Sequence, residues 1–149
     1  MLTHDQARDR AADLVARALK AGADAADAIY VADASTGVQV RLGALEDVQR
    51  SEGEEIGLRV FVGRQSASAS SSDLSPDAME KLAERAVAMA GQAPEDEFAG
   101  LAPEDMLLRD TPLALDIDDS GDVSPQSLRD RAMAAEDAAR AVQGVTNSE

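Results

Sequence analysis

Residues that bind metals or act as nucleophiles limit the chemistry that this chain could perform. His4 is the only histidine, and the sequence contains no cysteine. A zinc peptidase site needs two histidines on one helical face and a third ligand, and a serine nucleophile needs an internal base. Neither set can be assembled here. We therefore expect His4 to be exposed at the start of a helix, and we predict no catalytic residue.

An acidic segment has part of the spacing of a calcium-binding loop. Asp116, Asp118 and Ser120 would place oxygen atoms at the first, third and fifth positions of an EF-hand loop, with glycine sixth and valine eighth. The twelfth position holds Ser127 instead of a bidentate glutamate, and Pro112 lies where the entering helix should be. We interpret the segment as an acidic surface connection and keep calcium binding as an alternative.

A run of serine and alanine over residues 66–72 could be a flexible or phosphorylated linker. It directly follows Gly63–Arg64, which has the glycine-first order of a two-residue II′ hairpin turn. We therefore predict an edge strand, whose small side chains would allow another backbone or an extended peptide to approach. The paired carboxylates Glu54–Glu55 and Asp118–Asp119 are interpreted as solvated surface.

Capping signals and apolar spacing predict three helices. The first, over residues 4–21, begins with a capping box formed by Thr3 and Gln6. The helices near 75–90 and 125–142 each begin with a serine–proline pair. Apolar residues recur at intervals of three and four: Ala7, Ala11, Leu14, Ala18 and Leu19 in the first helix; Met79, Leu82, Ala86 and Met89 in the second; Leu128, Ala132, Ala135, Ala139 and Val142 in the third.

Between the first two helices the apolar period changes to two, which predicts strands. The predicted strands are 28–32, 38–42, 46–51, 56–62 and 65–72, with Val48 facing inward in the third and Ile56, Leu58, Val60 and Val62 forming an apolar face opposite Gly57, Arg59 and Phe61. Gly43 and Gly53 are predicted to occupy turns between them. The expected fold is α/β (α+β): an antiparallel, meander-rich sheet of four to five strands packed by two to three helices.

The charge balance argues against two classes of partner. The net charge is −15, from 14 basic and 29 acidic residues. Such a surface repels phosphate backbones and anionic membranes, so we expect neither nucleic-acid nor membrane binding. No apolar run is long enough to span a bilayer, and the charged amino-terminal sequence does not resemble a signal peptide. Together with the absence of cysteine, these features predict a soluble cytoplasmic protein.

Four segments carry a resemblance to a known family. They read DAADAIYVADASTGVQVRLGALEDVQRSEG, IGLRVFVGRQSASASSSDLSPDAM, APEDEFAGLAPEDMLL and LALDIDDSGDVSP, followed by the third helix and VTNSE. In this order and spacing the chain resembles the amino-terminal domain of the TldD/PmbA family, which includes proteins described as modulators of DNA gyrase. The serine-rich strand that runs into SDLSP favours the PmbA (TldE) branch.

This resemblance implies a function that depends on other parts of an assembly. TldD-like members are metallopeptidases with an HExxxH zinc motif in a carboxy-terminal domain, whereas PmbA-like members generally lack it and pair with TldD. The chain is then expected to be a non-catalytic amino-terminal domain of a TldE-like subunit acting in peptide proteolysis. Its expected partners are a TldD-like metallopeptidase subunit and peptide substrates.

The same resemblance implies how the chain is organised into segments, and it implies no catalytic residue in any of them. Residues 1–149 would form the amino-terminal domain, with a helix–sheet–helix core at 5–91, an acidic connection at 92–123 and the third helix at 124–144. The carboxy-terminal domain would be absent. Zinc is expected only in the TldD-like partner or the absent domain, so no catalytic, cofactor-binding or metal-binding residue is assigned.

Two alternatives stay open at this point. The chain could be a stand-alone peptide-binding module that uses the exposed strand edge at residues 66–72. It could also be the amino-terminal part of a catalytic TldD-like metallopeptidase.

Overall fold

The computed structural model describes residues 1–108, 115, 121 and 123–148. The elements in chain order are α1 (His4–Lys20), β1 (Ala25–Arg41), β2 (Ala44–Val62), β3 (Gln65–Ser71), α2 (Pro76–Ala90), a 3-10 turn (Glu104–Met106) and α3 (Pro125–Arg140). The described residues fall into two compact units. Unit 1 lies within residues 1–32 and 53–111, and unit 2 lies within residues 33–52 and 112–149.

The helices begin where the capping signals predict. Thr3 accepts a hydrogen bond from the Gln6 N–H, and the Gln6 side chain accepts one from the Thr3 N–H, which completes the capping box. Ser75 and Ser124 cap α2 and α3, each followed by proline in the first turn. Within the described ranges, no helix is long and apolar enough to cross a membrane.

Among the described residues the sheet contains three strands in the order β1-β2-β3 and is antiparallel, so the prediction of four to five strands was too high. The predicted strands 28–32 and 38–42 are one strand, β1, and the predicted strands 46–51 and 56–62 are one strand, β2. Gly53 was predicted to occupy a turn and instead lies inside β2. Glycine can adopt extended backbone as readily as turn geometry, so its presence alone does not mark a strand end.

The turns at both ends of β2 differ in their backbone geometry. Gly63 has a φ of 59° while Arg64 keeps a negative φ, which is the pattern of the predicted II′ turn. At the other hairpin, Leu42 and Gly43 both have positive φ, at 52° and 77°. Positive φ at both central residues defines a type I′ turn, and leucine is an unusual residue in its first position.

The core of unit 1 lies between α1, α2 and one face of the sheet. Leu14, Ile56, Val60 and Met79 are the largest fully buried side chains. The predicted apolar face of β2 is confirmed, since Leu58 is also buried and Val62 packs against this cluster. Alternate residues of β3 pack inward as well, namely Ala67 and Ala69.

Four apolar residues depart from their predicted burial. Leu19, Met89 and Val48 were predicted to face inward, and each is instead 46–48% exposed. The apolar face of α2 differs from the predicted stripe at its carboxy-terminal end. Ala90 is buried there in place of Met89, and Ala83 is buried as well. Phe61 lies on the opposite side of β2 from Val60, yet it is only 4% exposed.

Unit 2 contains the tip of the β1–β2 hairpin and α3. Val40 is its buried apolar strand residue. In α3 the buried residue is Glu136, at 4% exposed, and not one of the five apolar residues of the predicted stripe. The stripe is composed largely of alanine, so α3 buries little apolar surface against the hairpin, and a carboxylate occupies the centre of the contact.

Candidate functional site

Among the residues that the structure describes, His4 and the paired carboxylates Glu54–Glu55 can be located. His4 is the first residue of α1 and is exposed, as expected. Within the described part of the chain, no three histidine, cysteine, aspartate or glutamate side chains are grouped closely enough to hold a metal ion. Asp116, Asp118 and Ser120 lie outside the described residues, so the calcium hypothesis stays a prediction.

The prediction of an edge strand is confirmed. The serine-rich run forms β3, which pairs with β2 on one side, and the order of strands makes it the last of the sheet. Its serines at 66, 68 and 70 are exposed, whereas its alanines turn toward the core. The pattern follows from the two-residue period of a strand.

A shallow groove of about 520 Å³ crosses all three strands of unit 1. Its outward-facing lining residues are Asp27, Ile29, Gly57, Arg59, Ser68 and Ser70. Gly57 forms its floor, and a Cβ atom built there would lie 3.2 Å from the Ile29 side chain. Ile29 is 64% exposed, so the groove presents apolar surface next to polar groups. We call this feature the sheet groove.

The charged residues of the sheet groove neutralise each other. Arg59 donates two hydrogen bonds to Asp27, one from each of two guanidinium nitrogens, in a bidentate ion pair. The Asp27 hydrogen bond and charge raise the pKa of Arg59 above its ordinary value. The Arg59 guanidinium also lies 5.2 Å from the centre of the Phe61 ring, a cation–π contact. The Asp27 carboxylate is engaged by Arg59, so the pair is suited to positioning a polar ligand.

A second polar cluster lies in unit 2, around the carboxylate of Glu136. This carboxylate accepts hydrogen bonds from the backbone N–H groups of Leu42 and Gly43 and from the Ser148 hydroxyl. Close by, the Arg41 guanidinium donates to the Asn147 side chain. Glu136 therefore closes the type I′ turn by accepting from both of its central residues.

The environment of Glu136 favours its ionised form. Donation by the Gly43 N–H lowers the pKa most; the Ser148 hydroxyl, the Leu42 N–H and the charge of Arg140 lower it further, while burial acts in the opposite direction. The net result is a pKa below the ordinary value. A carboxylate with a lowered pKa is a weak base, so the Glu136–Ser148 pair does not resemble an activated nucleophile.

The carboxylate of Glu54 is not simply solvated, in contrast to its sequence-based interpretation. It accepts a 2.7 Å hydrogen bond from the Tyr30 hydroxyl, whose oxygen accepts from the Leu2 N–H. Glu55, its neighbour, is exposed as predicted. The amino-terminal segment is thereby attached to β1 in unit 1.

A comparison with known families identifies the domain. A family described as "PmbA/TldA metallopeptidase domain 1" matches residues 26–90. The chain is 34% identical over 122 residues to a Metalloprotease PmbA homolog of Haemophilus influenzae, and 33% identical over 141 residues to Metalloprotease PmbA of Escherichia coli O157:H7. The alignments cover 82% and 92% of this chain. The chain belongs to the TldD/PmbA family.

The match extends over only part of the TldD/PmbA relatives. The chain spans 27% of the Haemophilus protein and 31% of the Escherichia protein. Most of each relative therefore lies outside the aligned region.

Solved structures show the same fold. A Bacteroides thetaiotaomicron protein named for modulation of DNA gyrase superposes with a TM-score of 0.81 at 20% identity, over 97% of this chain and 32% of its own length. TldE from Thermococcus kodakarensis gives a TM-score of 0.68 at 20% identity, over 89% of this chain and 29% of its own length. At this identity the likeness concerns the fold.

Sequence reasoning missed the hydrogen bonds of Glu136 and of Glu54. Glu136 could have been found, because it lies on α3 between Ala132 and Ala139 of the predicted apolar stripe, four and three residues away. A carboxylate in that position needs a partner if the stripe is buried. The Tyr30–Glu54 contact left no comparable signal, since it depends on the pairing of two long strands.

Proposed function

We propose that this chain is a non-catalytic amino-terminal domain of a PmbA/TldE-like subunit, within a TldD–TldE-type metallopeptidase complex that acts in peptide proteolysis. The observation that carries the proposal is the match of residues 26–90 to the first domain of this family, joined to 33–34% identity with two PmbA proteins. The domain would shape the subunit contact and the peptide chamber, and zinc would be bound by the TldD-like partner. The complex would be cytoplasmic.

The chemistry of the described residues supports a non-catalytic role. His4 stands alone, and the described carboxylates form no grouping suited to a metal ion. Zinc does not fit the residues that the structure describes, so in this proposal these residues take no part in peptide cleavage. The two polar clusters, at Glu136 and at Glu54, fix turns and chain segments.

Co-purification and cleavage assays test the proposal. The tagged chain and the TldD-like subunit of the same genome are expressed separately and together, and each preparation is given an unfolded peptide with and without a zinc chelator. We expect the two proteins to co-elute and this chain alone to cleave nothing. Chelator-sensitive cleavage by this chain alone would overturn the non-catalytic role, and separate elution would overturn the partnership.

The reading frame beyond codon 149 separates the proposal from its main alternative. A continuing frame that encodes HExxxH would place the chain in a catalytic TldD-like subunit. A continuing frame without that motif would agree with the PmbA/TldE branch.

A further inference from the structure

We propose that the free edge of β3 in unit 1 binds an extended peptide carrying a carboxylate, by adding it to the sheet as a further strand. This inference does not depend on the proposed function, because it concerns a binding surface of this chain alone. Strand addition uses backbone hydrogen bonds for affinity and side-chain contacts for selection.

The register of the β2–β3 hairpin determines which backbone groups face outward. Val62 pairs with Gln65 across the two-residue turn, and the ladder continues in register to Ile56 and Ser71. The pair that closes a two-residue hairpin is hydrogen-bonded, and hydrogen-bonded and non-hydrogen-bonded pairs then alternate. The N–H and C=O groups of residues 66, 68 and 70 therefore point away from β2, toward the free edge.

A contact with α2 agrees with this assignment. Arg85 donates a 3.4 Å hydrogen bond from its guanidinium to the carbonyl oxygen of Ser70, which must point away from β2 to be reached. Outside the β2–β3 ladder, this is the one hydrogen bond that the described residues make to the backbone of Ser66, Ser68 or Ser70. No other described residue bonds to the outward groups of Ser66 and Ser68, so these groups can pair with an added strand.

The charge at this edge differs from that of the chain. Although the net charge is −15, Arg64 precedes β3 and Arg85 reaches its far end. Both are exposed, and neither forms an ion pair with a described carboxylate, whereas five other arginines do. From Arg64 to Ser70 an extended chain covers about 20 Å. The edge is therefore complementary to an extended peptide with acidic residues near its ends.

The sheet groove gives the added strand a place for apolar side chains. Ser70 is paired with Gly57, so little side-chain bulk separates the β3 edge from the exposed Ile29. Alternate residues of an added strand project on this face. The preferred peptide is thus extended, apolar at alternate positions and acidic at its ends.

Fluorescence anisotropy tests the proposal with the purified chain and a short labelled peptide of alternating threonine and valine, with a glutamate at each end. We expect saturable binding that weakens as salt is raised. The same peptide with lysine ends should bind about tenfold more weakly, as expected for the loss of two exposed ion pairs. Absence of saturable binding by the glutamate peptide overturns the proposal, and so does equal binding of both peptides.

Variants locate the binding surface. Ser68→Pro removes the outward N–H at a position where an edge strand tolerates proline, whereas Ser68→Ala keeps it. We expect the proline variant to lose binding and the alanine variant to retain it. Arg64→Glu with Arg85→Glu should weaken binding about tenfold, while Arg8→Glu with Lys20→Glu, an equal charge change on α1, should not.

Folding of each variant is checked by circular dichroism. If Ser68→Pro does not fold, the arginine variants decide the question. Unchanged affinity in Arg64→Glu/Arg85→Glu, or in a folded Ser68→Pro, would overturn the assignment to the β3 edge.

Discussion

The carboxylate of Glu136 in α3 accepts a 2.7 Å hydrogen bond from the backbone N–H of Gly43, 93 residues earlier in the chain. A second bond, from the Leu42 N–H, reaches the other carboxylate oxygen. A turn whose two central N–H groups share one buried acceptor is held by a single side chain. The stability of unit 2 should therefore depend on the ionisation of that side chain.

We predict that Glu136→Gln reduces thermal stability at neutral pH and makes it less dependent on pH. The folded-state pKa of Glu136 lies below its ordinary value of 4.5. A lowered folded-state pKa contributes stability that is present above the unfolded-state value and is lost as pH falls through the folded-state value. The contribution should thus be complete near neutrality and disappear progressively below about pH 4.5.

Thermal melts followed by circular dichroism, at a series of pH values down to the acid range, measure this effect. The quantity of interest is the Tm difference between wild type and Glu136→Gln, because many other carboxylates titrate in both. Asp137→Asn, an exposed neighbour on α3, serves as the control. A Tm difference that stays constant with pH would contradict the prediction.

Leu42→Asn should stabilise the protein. Leu42 has a φ of 52° and is 54% exposed, so its side chain gains little from burial while its backbone is strained. Asparagine tolerates this conformation, and asparagine–glycine is a preferred pair for a type I′ turn. We expect the free energy of unfolding to rise by about 1 kcal/mol, measured by urea denaturation. Gly43→Ala, which adds a side chain at a φ of 77°, should have the opposite sign.

Two leucines of α1 should differ sharply when shortened to alanine. Leu14 is fully buried in the core of unit 1, whereas Leu19 is 46% exposed. Leu14→Ala should lower the free energy of unfolding by about 2–5 kcal/mol, through lost transfer energy and a cavity. Leu19→Ala should cost less than about 1 kcal/mol. Similar losses for the two variants would contradict the difference in burial between Leu14 and Leu19.

Tyr30 is the only tyrosine, so the alkaline titration of tyrosine absorbance measures the pKa of this one hydroxyl. The Leu2 N–H lowers the pKa of Tyr30, but the Glu54 hydrogen bond, burial and the Glu54 charge together raise it above 10.0. Glu54→Gln should therefore move the alkaline titration of tyrosine absorbance to lower pH. Glu55→Gln, at the exposed adjacent position, should leave the midpoint unchanged. An unmoved midpoint in Glu54→Gln would contradict the Tyr30–Glu54 contact.

The features that the sequence predicted correctly are those determined within a few residues. Thr3 with Gln6, the two serine–proline helix starts and the Gly63 turn are all local hydrogen-bonding or φ requirements. The inward face of β2 was equally clear, since its alternation of apolar residues is uninterrupted from Ile56 to Val62.

The features that sequence reasoning missed depend on distant partners. Gly53 was assigned to a turn because glycine permits one, but long-range pairing keeps β2 extended through it. Leu42 could not be recognised as a left-handed residue, since the carboxylate that closes its turn is 94 residues away. The family itself was recognised, because it depends on order and spacing along the chain.

The separation between Glu136 and its turn has a consequence for synthesis on the ribosome. The hairpin tip emerges with residues 33–52, but its acceptor arrives only when α3 has been translated. At about 5–20 residues per second the wait is roughly 5–20 seconds. During that time the nascent hairpin presents both its N–H groups and Val40 without their final partners. A nascent-chain proteolysis experiment should find this segment cleavable until α3 has left the exit tunnel.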